Sequence, residues 1–511
     1  MAPTNKLYGN HKYSSITYGS GTIQKTRFGL TVDWNRDGYF SGRNEAKRLE
    51  NFTLRRGRKY YIKRDGSGFE QEDVGTFKAV IADPNEEFNP YNAASPLYGQ
   101  LGPNRRMAMT ALTPNGVNNP LFAGTLSNPI FLPGTINKVR LEAQDGWQIL
   151  QSQKARVTIQ LQENIFADDA LGLILTKTGW PSAWGSDLNT GLDQQPYYFV
   201  PRQSAAQAIF DLVHSELGRV FIKNSGALAF RNRYFLEIPV ATFTDQSYIY
   251  DSLDVTSPWE VMRNVVSIKV RPRTLQTSSD LWALPSPLPI NAGEVKEIFA
   301  DLTYNNEDAP AKNLLGPTGG IDYSANTAED GSGTDLTGSI TVTRQELGLT
   351  VKNIVTNTSG SNGWLRVLKV RGQAVAVTSV VGLNAEDIGV YDDISEFTLD
   401  VPWIQNVARA EGFRDFMLSF LKTQKQYVTF TLKPTPGLPN TQFALDLGRY
   451  VRLDFDQLGL DANFSIAQIQ HEYEAYNDWT MTTLVCEPLP DVSGYWQFGI
   501  SAFGLTTKFA L

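Results

Sequence analysis

Val139-Arg140-Leu141-Glu142-Ala143-Gln144 decides the fold class, because apolar and polar side chains alternate along it. A strand of that sequence buries Val139, Leu141 and Ala143 on one face and wets the other three. The same period of two recurs at Val157-Thr158-Ile159-Gln160-Leu161-Gln162, at Val266, Ile268 and Val270, and at Val451, Leu453 and Phe455. Lys269, Arg271, Arg452 and Asp454 fall on the wet faces. Antiparallel sheets tolerate one solvated side and wholly parallel sheets do not.

Composition agrees with many short strands. The chain has 511 residues, a length that suggests about three or four domains. Hydrophobic residues are 41% and charged residues 19%, which excludes long disorder and coiled coil. The 42 Gly and 26 Pro supply turns. One cysteine, Cys486, excludes an internal disulfide scaffold and a cysteine-based zinc module. The opening residues, MAPTNKLYGNHKY, lack the apolar core of a signal peptide, and no run is apolar and long enough to span a membrane.

Three segments leave the strand rhythm. Residues 168–178 start at Asp168 and Asp169 and stop at Gly179-Trp180-Pro181. Residues 203–217 place Ala205, Ile209, Leu212 and Val213 on one stripe. Residues 405–424 do the same with Ala410, Phe413, Met417, Phe420 and Leu421, as helices packed on a sheet require. Residues 301–363, rich in Asn, Ser, Thr and Gly, read as long loops between short strands.

The catalytic inventory is poor. No Gly-x-Ser-x-Gly elbow, phosphate-binding loop or His-Glu-x-x-His helix occurs. His11, His214 and His471 share no ligand spacing, and nothing beside Cys486 activates a thiolate. The expectation is a protein without catalytic residues or a cofactor. One motif offers oxygen ligands. Asp33-Trp34-Asn35-Arg36-Asp37-Gly38 matches the first half of a calcium loop, making Asp33, Asn35 and Asp37 candidate Ca2+ ligands. Its twelfth position, however, is Asn44, with Glu45 thirteenth; the plainer reading is an Asx-rich turn.

Charge is uneven. Residues 47–64 carry eight Lys or Arg against one Glu, and residues 386–400 carry six carboxylates and no basic residue. Tyr60 and Tyr61 would give the basic stretch a stacking role toward nucleic acid; a strand with a basic wet face explains it as well. A third reading pairs the two stretches across a subunit boundary, where opposite potentials fix register. Arg55, Arg56 and Arg58 would then face Asp392, Asp393 and Glu396.

The first 140 residues resemble the N-terminal part of tail-tip hub proteins of long-tailed bacteriophages, the baseplate hubs of contractile tails among them. The resemblance rests on Asp33-Trp34-Asn35-x-Asp37-Gly38-x-Phe40, the basic Leu54-Arg55-Arg56-Gly57-Arg58, and Ala82-Asp83-Pro84-Asn85-Glu86-Glu87-Phe88-Asn89-Pro90. Ser95-Pro96-Leu97-Tyr98-Gly99, the Leu101-Gly102-Pro103-Asn104-Arg105 turn and Leu121-Phe122-Ala123-Gly124 follow in family order. Further on, the hairpin with Gly218-Arg219-Val220-Phe221 and Gly226-Ala227-Leu228-Ala229-Phe230 is similar too. So is the closing Tyr495-Trp496-Gln497-Phe498-Gly499-Ile500-Ser501, where Phe498 replaces the usual Leu.

The resemblance implies a mainly β (α+β) fold with two tail-tube-like β-barrel domains and smaller α/β and β decorating domains. The expected division is an N-terminal arm over 1–25, a first barrel over 26–140 and an α/β domain with two short helices over 141–240. A second barrel with long loops then covers 241–400, and a helix plus C-terminal β domain covers 401–511. It further implies a structural virion protein at the tail tip, assembled as a homotrimer in the host bacterial cytoplasm. Its partners would be a distal tail or tail tube protein, a tail spike, fibre or plug protein, and the tape measure protein, with DNA only in passage through the lumen. A net charge of −7 suits a conduit whose wall is dominated by carboxylates. Two alternatives are a hexameric distal tail protein and a tail-associated hydrolase or carbohydrate-binding module acting on the host envelope.

Overall fold

The computed structural model describes residues 25–489 other than 39–42, 60–61, 64, 71, 128, 153, 258–260, 391–393, 436 and 477–478. Outside that span it gives only the backbone of 16–18, 21–23, 495–496 and 508–509. Most of the expected N-terminal arm, Tyr60, Tyr61 and all of the closing 495–501 motif but the backbone of 495–496 thus lie outside the described residues.

The chain is mostly β. Its first unit has strands β1 (Arg27–Val32), β2 (Leu49–Gly57), β3 (Thr76–Ala82), β4 (Arg105–Leu112), β5 (Asn118–Leu126) and β6 (Lys138–Gln144), in spatial order β1-β4-β5-β6-β3-β2. Period-two alternation turns Phe52, Phe77 and Phe122 inward, where their rings stack in series. The outer edge of β1 is not left bare. Asn44 Oδ1 accepts from Leu30 N at 2.9 Å and Asn44 Nδ2 donates to Phe28 O at 3.4 Å, as a neighbouring strand would.

A helical unit follows: α1 (Gly146–Gln151), β7 (Arg156–Ile165), α2 (Ala167–Thr178), β8 (Gln195–Ser204), α3 (Ala205–His214) and the hairpin β9 (Arg219–Ile222) and β10 (Leu228–Arg231). Asp145 caps α1 and Ser204 caps α3 through side-chain oxygens. Asp168 does not cap α2; its carboxylate instead accepts from Gly191 N at 2.9 Å. The helix ends on Gly179 in the left-handed region.

Two short strands, β11 (Ala241–Thr244) and β12 (Asp254–Thr256), precede β13 (Val265–Val270). Residues 273–377 then build a two-layer sandwich. One layer contains β14 (Arg273–Ala283); the other contains β15 (Val295–Asp301). A tight hairpin, β16 (Thr303–Tyr304) and β17 (Glu307–Asp308), leads on to β18 (Ile340–Leu347), β19 (Thr350–Asn357) and β20 (Gly363–Val377). The layers β14-β20 and β15-β19-β18 share a core in which Ile298 and Val355 meet Leu365 and Leu368. This corrects the loop reading of 301–363. Thr and Val at alternate positions favour strand, and the buried Asn353 and Asn357 are tied to backbone carbonyls inside the sandwich.

After the sandwich come β21 (Val381–Glu386), β22 (Glu396–Val401) and α4 (Val407–Leu421), which pack with β13 around Phe397, Phe413 and Met417. The last strands are β23 (Tyr427–Thr431), β24 (Tyr450–Phe455), β25 (Leu460–Glu474) and β26 (Trp479–Pro488). They join β11 and β12 in the order β12-β23-β26-β25-β24-β11. The second six-stranded unit is therefore built from 241–256 and 427–488, and it cuts across the boundary expected at 400. Thr256 pairs with Tyr427, so 257–426 leaves and re-enters at one point. Alternation marks strands; it does not say which strands are partners.

Candidate functional site

The two β units are one sheet. β25 pairs antiparallel with β2 from Gln468↔Gly57 to Glu474↔Asn51, giving thirteen strands in all with the short strand Ile130–Leu132. Gly57 ends this seam at φ 87°, and a Cβ there would stand 2.0 Å from Ala467 O. The two cores also take in rings from outside their own units. Phe443, from the loop before β24, is buried in the first core against Phe28, and Phe221 of β9 is buried in the second. Each such ring contributes about 1.5–3 kcal/mol of burial.

Beneath the seam lies an ionic node drawn from three parts of the chain. Arg56 donates to Asp446 Oδ1 at 2.8 Å and to Ile222 O at 3.4 Å. Asp446 also accepts from Asn224 N at 3.1 Å and Leu447 N at 2.9 Å. Arg58 bonds Glu72 and lies 3.7 Å from Glu487, which pairs with Arg219 at 2.9 Å. Burial pushes the Glu72 carboxyl up to about 7 despite Arg58. Asp145 and Glu216 are raised to about 7 by burial as well.

Above the seam the sheet presents one continuous solvent face. Directly opposed residues share a side. Three rows therefore run across both units: Thr483, Gln470, Arg55, Thr76, Gln144; Met481, Glu472, Thr53, Lys78, Glu142; and Trp479, Glu474, Asn51, Val80, Arg140. Arg55, Lys78 and Arg140 are matched in number by Glu142, Glu472 and Glu474. The face is polar and balanced in charge.

The expected interface residues separate. Arg55 is half-exposed and lies 3.6 Å from Asp73. Arg56 and Arg58 are buried at 1% and 6% exposure, so their charges are neutralised within one chain and neither is available at a subunit boundary. Period two could have revealed this, since Arg56 has the parity of Phe52 and Leu54. Their partners Asp446, Glu72 and Glu487 had no such signal. Asp392 and Asp393 lie outside the described residues; Glu396 is exposed and accepts from Ser267 Oγ. The basic and acidic stretches do approach each other, but within the chain: Thr398 N donates to Gly66 O at 3.0 Å, and Ile62 and Phe69 pack with Phe397 and Leu399.

In the candidate calcium loop, Asp33 is buried, its Oδ2 accepts from Gly38 N at 3.2 Å, and its Oδ1 has no hydrogen-bond partner among the described residues. Asn35 Nδ2 donates to Asp37 Oδ2 at 2.6 Å. Asn44 is engaged with β1, and Glu45 is buried against Arg43 and Trp34. Only the first half of the ligand scheme is thus at hand. His471 is buried and His214 partly so, with imidazoles pushed down to about 3 by desolvation, and burial raises the Cys486 thiol.

No protein-family profile and no curated protein matches the chain. Among solved structures it is similar to a tail protein from Neisseria meningitidis MC58, at 11% identity and TM-score 0.49, over 91% of this chain and 97% of that one. It is similar also to the prophage MuSo2 43 kDa tail protein from Shewanella oneidensis, at 9% identity and TM-score 0.47, over 91% and 98%. A third likeness is to the E. coli c3393 protein, a component of the type VI secretion system with structural similarity to T4 bacteriophage tail proteins gp27 and gp5. There the identity is 8% and the TM-score 0.36, over 92% and 78%.

Proposed function

We propose that the chain is a non-enzymatic structural protein of a phage tail tip, a hub whose three copies close into a ring of six β units. The observation that carries this reading is the continuous face that β2 and β25 make of two six-stranded units. A chain with two side-by-side units supplies two positions of a six-fold ring, so three chains match a six-fold tube on one side and a three-fold tip on the other. Closed rings are built from heterologous interfaces, one patch meeting a different patch on the next copy.

In this arrangement the continuous face lines the passage. Threonine, glutamine and balanced charge offer phosphate no net attraction, so DNA would slide past without condensing on the wall. The distal tail or tube protein would seat on one rim, a spike, fibre or plug on the other, and the tape measure protein would end inside. The sequence resemblance across the first 140 residues supports the same assignment. Class averages of the assembled protein by electron microscopy test it: six lobes around an open centre are expected, and a solid or unclosed particle would refute the ring.

A further inference from the structure

Where the sandwich meets the helical unit, a cavity of about 230 Å³ opens between β8, the start of β14, the β16–β17 hairpin and the end of β20. Its charged wall is Arg273. That guanidinium lies 4.7 Å from the centre of the Trp403 ring and 5.4 Å from that of Phe199, and donates to Pro402 O at 2.6 Å. Rings on its faces and a carbonyl at one nitrogen fix its plane. Among the described residues no carboxylate forms an ion pair with it; the nearby Asp400 is taken by Arg271. The opposite rim comes from the hairpin. Its turn residues Asn305 and Asn306 both have positive φ, and the strand after them holds Glu307 and Asp308 in solvent. Tyr304 is anchored by its hydroxyl, which donates to Gln276 Oε1 at 3.4 Å.

We propose that this cleft binds a neutral saccharide. Glu307 is paired with Tyr304 and shares its side of the hairpin, whereas Asp308 is paired with Thr303 and faces the other way. Donors fixed on one wall and the Glu307 carboxylate on the other suit a ligand that both accepts and donates, as hydroxyl groups do. An anion would meet Glu307, and a cation would meet Arg273, so net charge is disfavoured from either side. The Phe199 and Tyr304 rings give the apolar C–H faces of a sugar a surface to lie on. The volume is below the roughly 300–1,000 Å³ of drug-sized sites and on the scale of one or two sugar rings. This inference stands apart from the ring reading, since it concerns the sandwich neck and holds for a single chain.

Saturation-transfer NMR on the full chain tests it. The probes are glucose, galactose, N-acetylglucosamine and rhamnose, with maltotriose and chitotriose as oligomers and glucuronate as the anionic control. Transfer to at least one neutral probe is expected, weakened about tenfold in Glu307→Gln, the loss of one charged hydrogen bond, and little changed in Asp308→Asn. Both substitutions are on exposed residues and leave the melting temperature unchanged. Tighter binding of an oligomer than of its monomer supports a surface glycan, and equal binding supports a free sugar. The proposal is overturned by no transfer to any neutral probe, by transfer to glucuronate alone, or by binding indifferent to Glu307→Gln.

Discussion

Arg56 Nη1 and Asp446 Oδ1 are 2.8 Å apart, both side chains buried, and they join the first β unit to the loop that enters the second. The pair sits directly beneath the strands that fuse the units, so the seam is held by backbone pairing above and charge below.

Arg56→Met leaves Asp446 buried with its cationic partner gone, which costs about 3–5 kcal/mol. Arg55→Met, one residue away on the wet face, changes stability by about 0.5 kcal/mol or less. Scanning calorimetry of the two variants should show a clear drop in melting temperature for the first only. Equal drops would mean that Arg56 is no more buried than its neighbour. Charge reversal at Arg56 would accordingly report on folding, and of Arg55, Arg56 and Arg58 it is Arg55 that can probe assembly.

The pH dependence has two opposed limbs. Partial burial alone would raise the Glu87 carboxyl, but Arg48 and Arg43 outweigh it and hold the group at about 2. Its contribution is present above about pH 4.5 and is lost as pH falls toward 2. Glu72, Asp145 and Glu216, raised to about 7 by burial, act in the other direction. Their neutral forms favour the folded state below about pH 4, and that advantage is lost as pH rises through 7. Below about pH 6.5 the neutral His214 and His471 imidazoles, held down to about 3, oppose that loss, because only the unfolded chain takes up their protons. Melting temperature should therefore decline most clearly from about pH 6.5 to 7.5, and Glu72→Gln should flatten that decline. An unchanged slope in that variant would show Glu72 ionised throughout.

For the Asp33 loop, the hydrogen bonds to Gly38 N and from Asn35 to Asp37 make a turn that stands without an ion. Melting in millimolar calcium and in chelator should coincide, for the native chain and for Asp37→Ala alike. A calcium-dependent rise abolished by Asp37→Ala would instead establish Asp33, Asn35 and Asp37 as ligands.

Much of the fold was legible because alternation is local. The strands at 139–144, 157–161, 266–270 and 451–455, and the helix cores near 170, 209 and 413, sit where the pattern puts them. What was not legible is pairing over long separations. Nothing in Gln468 through Glu474 announces β2 as a neighbour more than four hundred residues earlier, and nothing in Thr256 announces Tyr427. The sandwich was hidden for another reason: its Thr- and Asn-rich strands have the composition of loops. At the seam, half the answer lay in the parity of Arg56. The other half needed Asp446, which reaches it only through tertiary structure.

In the proposed ring one chain fills two of six positions. Native mass spectrometry of the assembled ring decides this by counting the chains. Three chains per ring is the predicted result; six chains per ring, the stoichiometry of a hexameric distal tail protein, would contradict it.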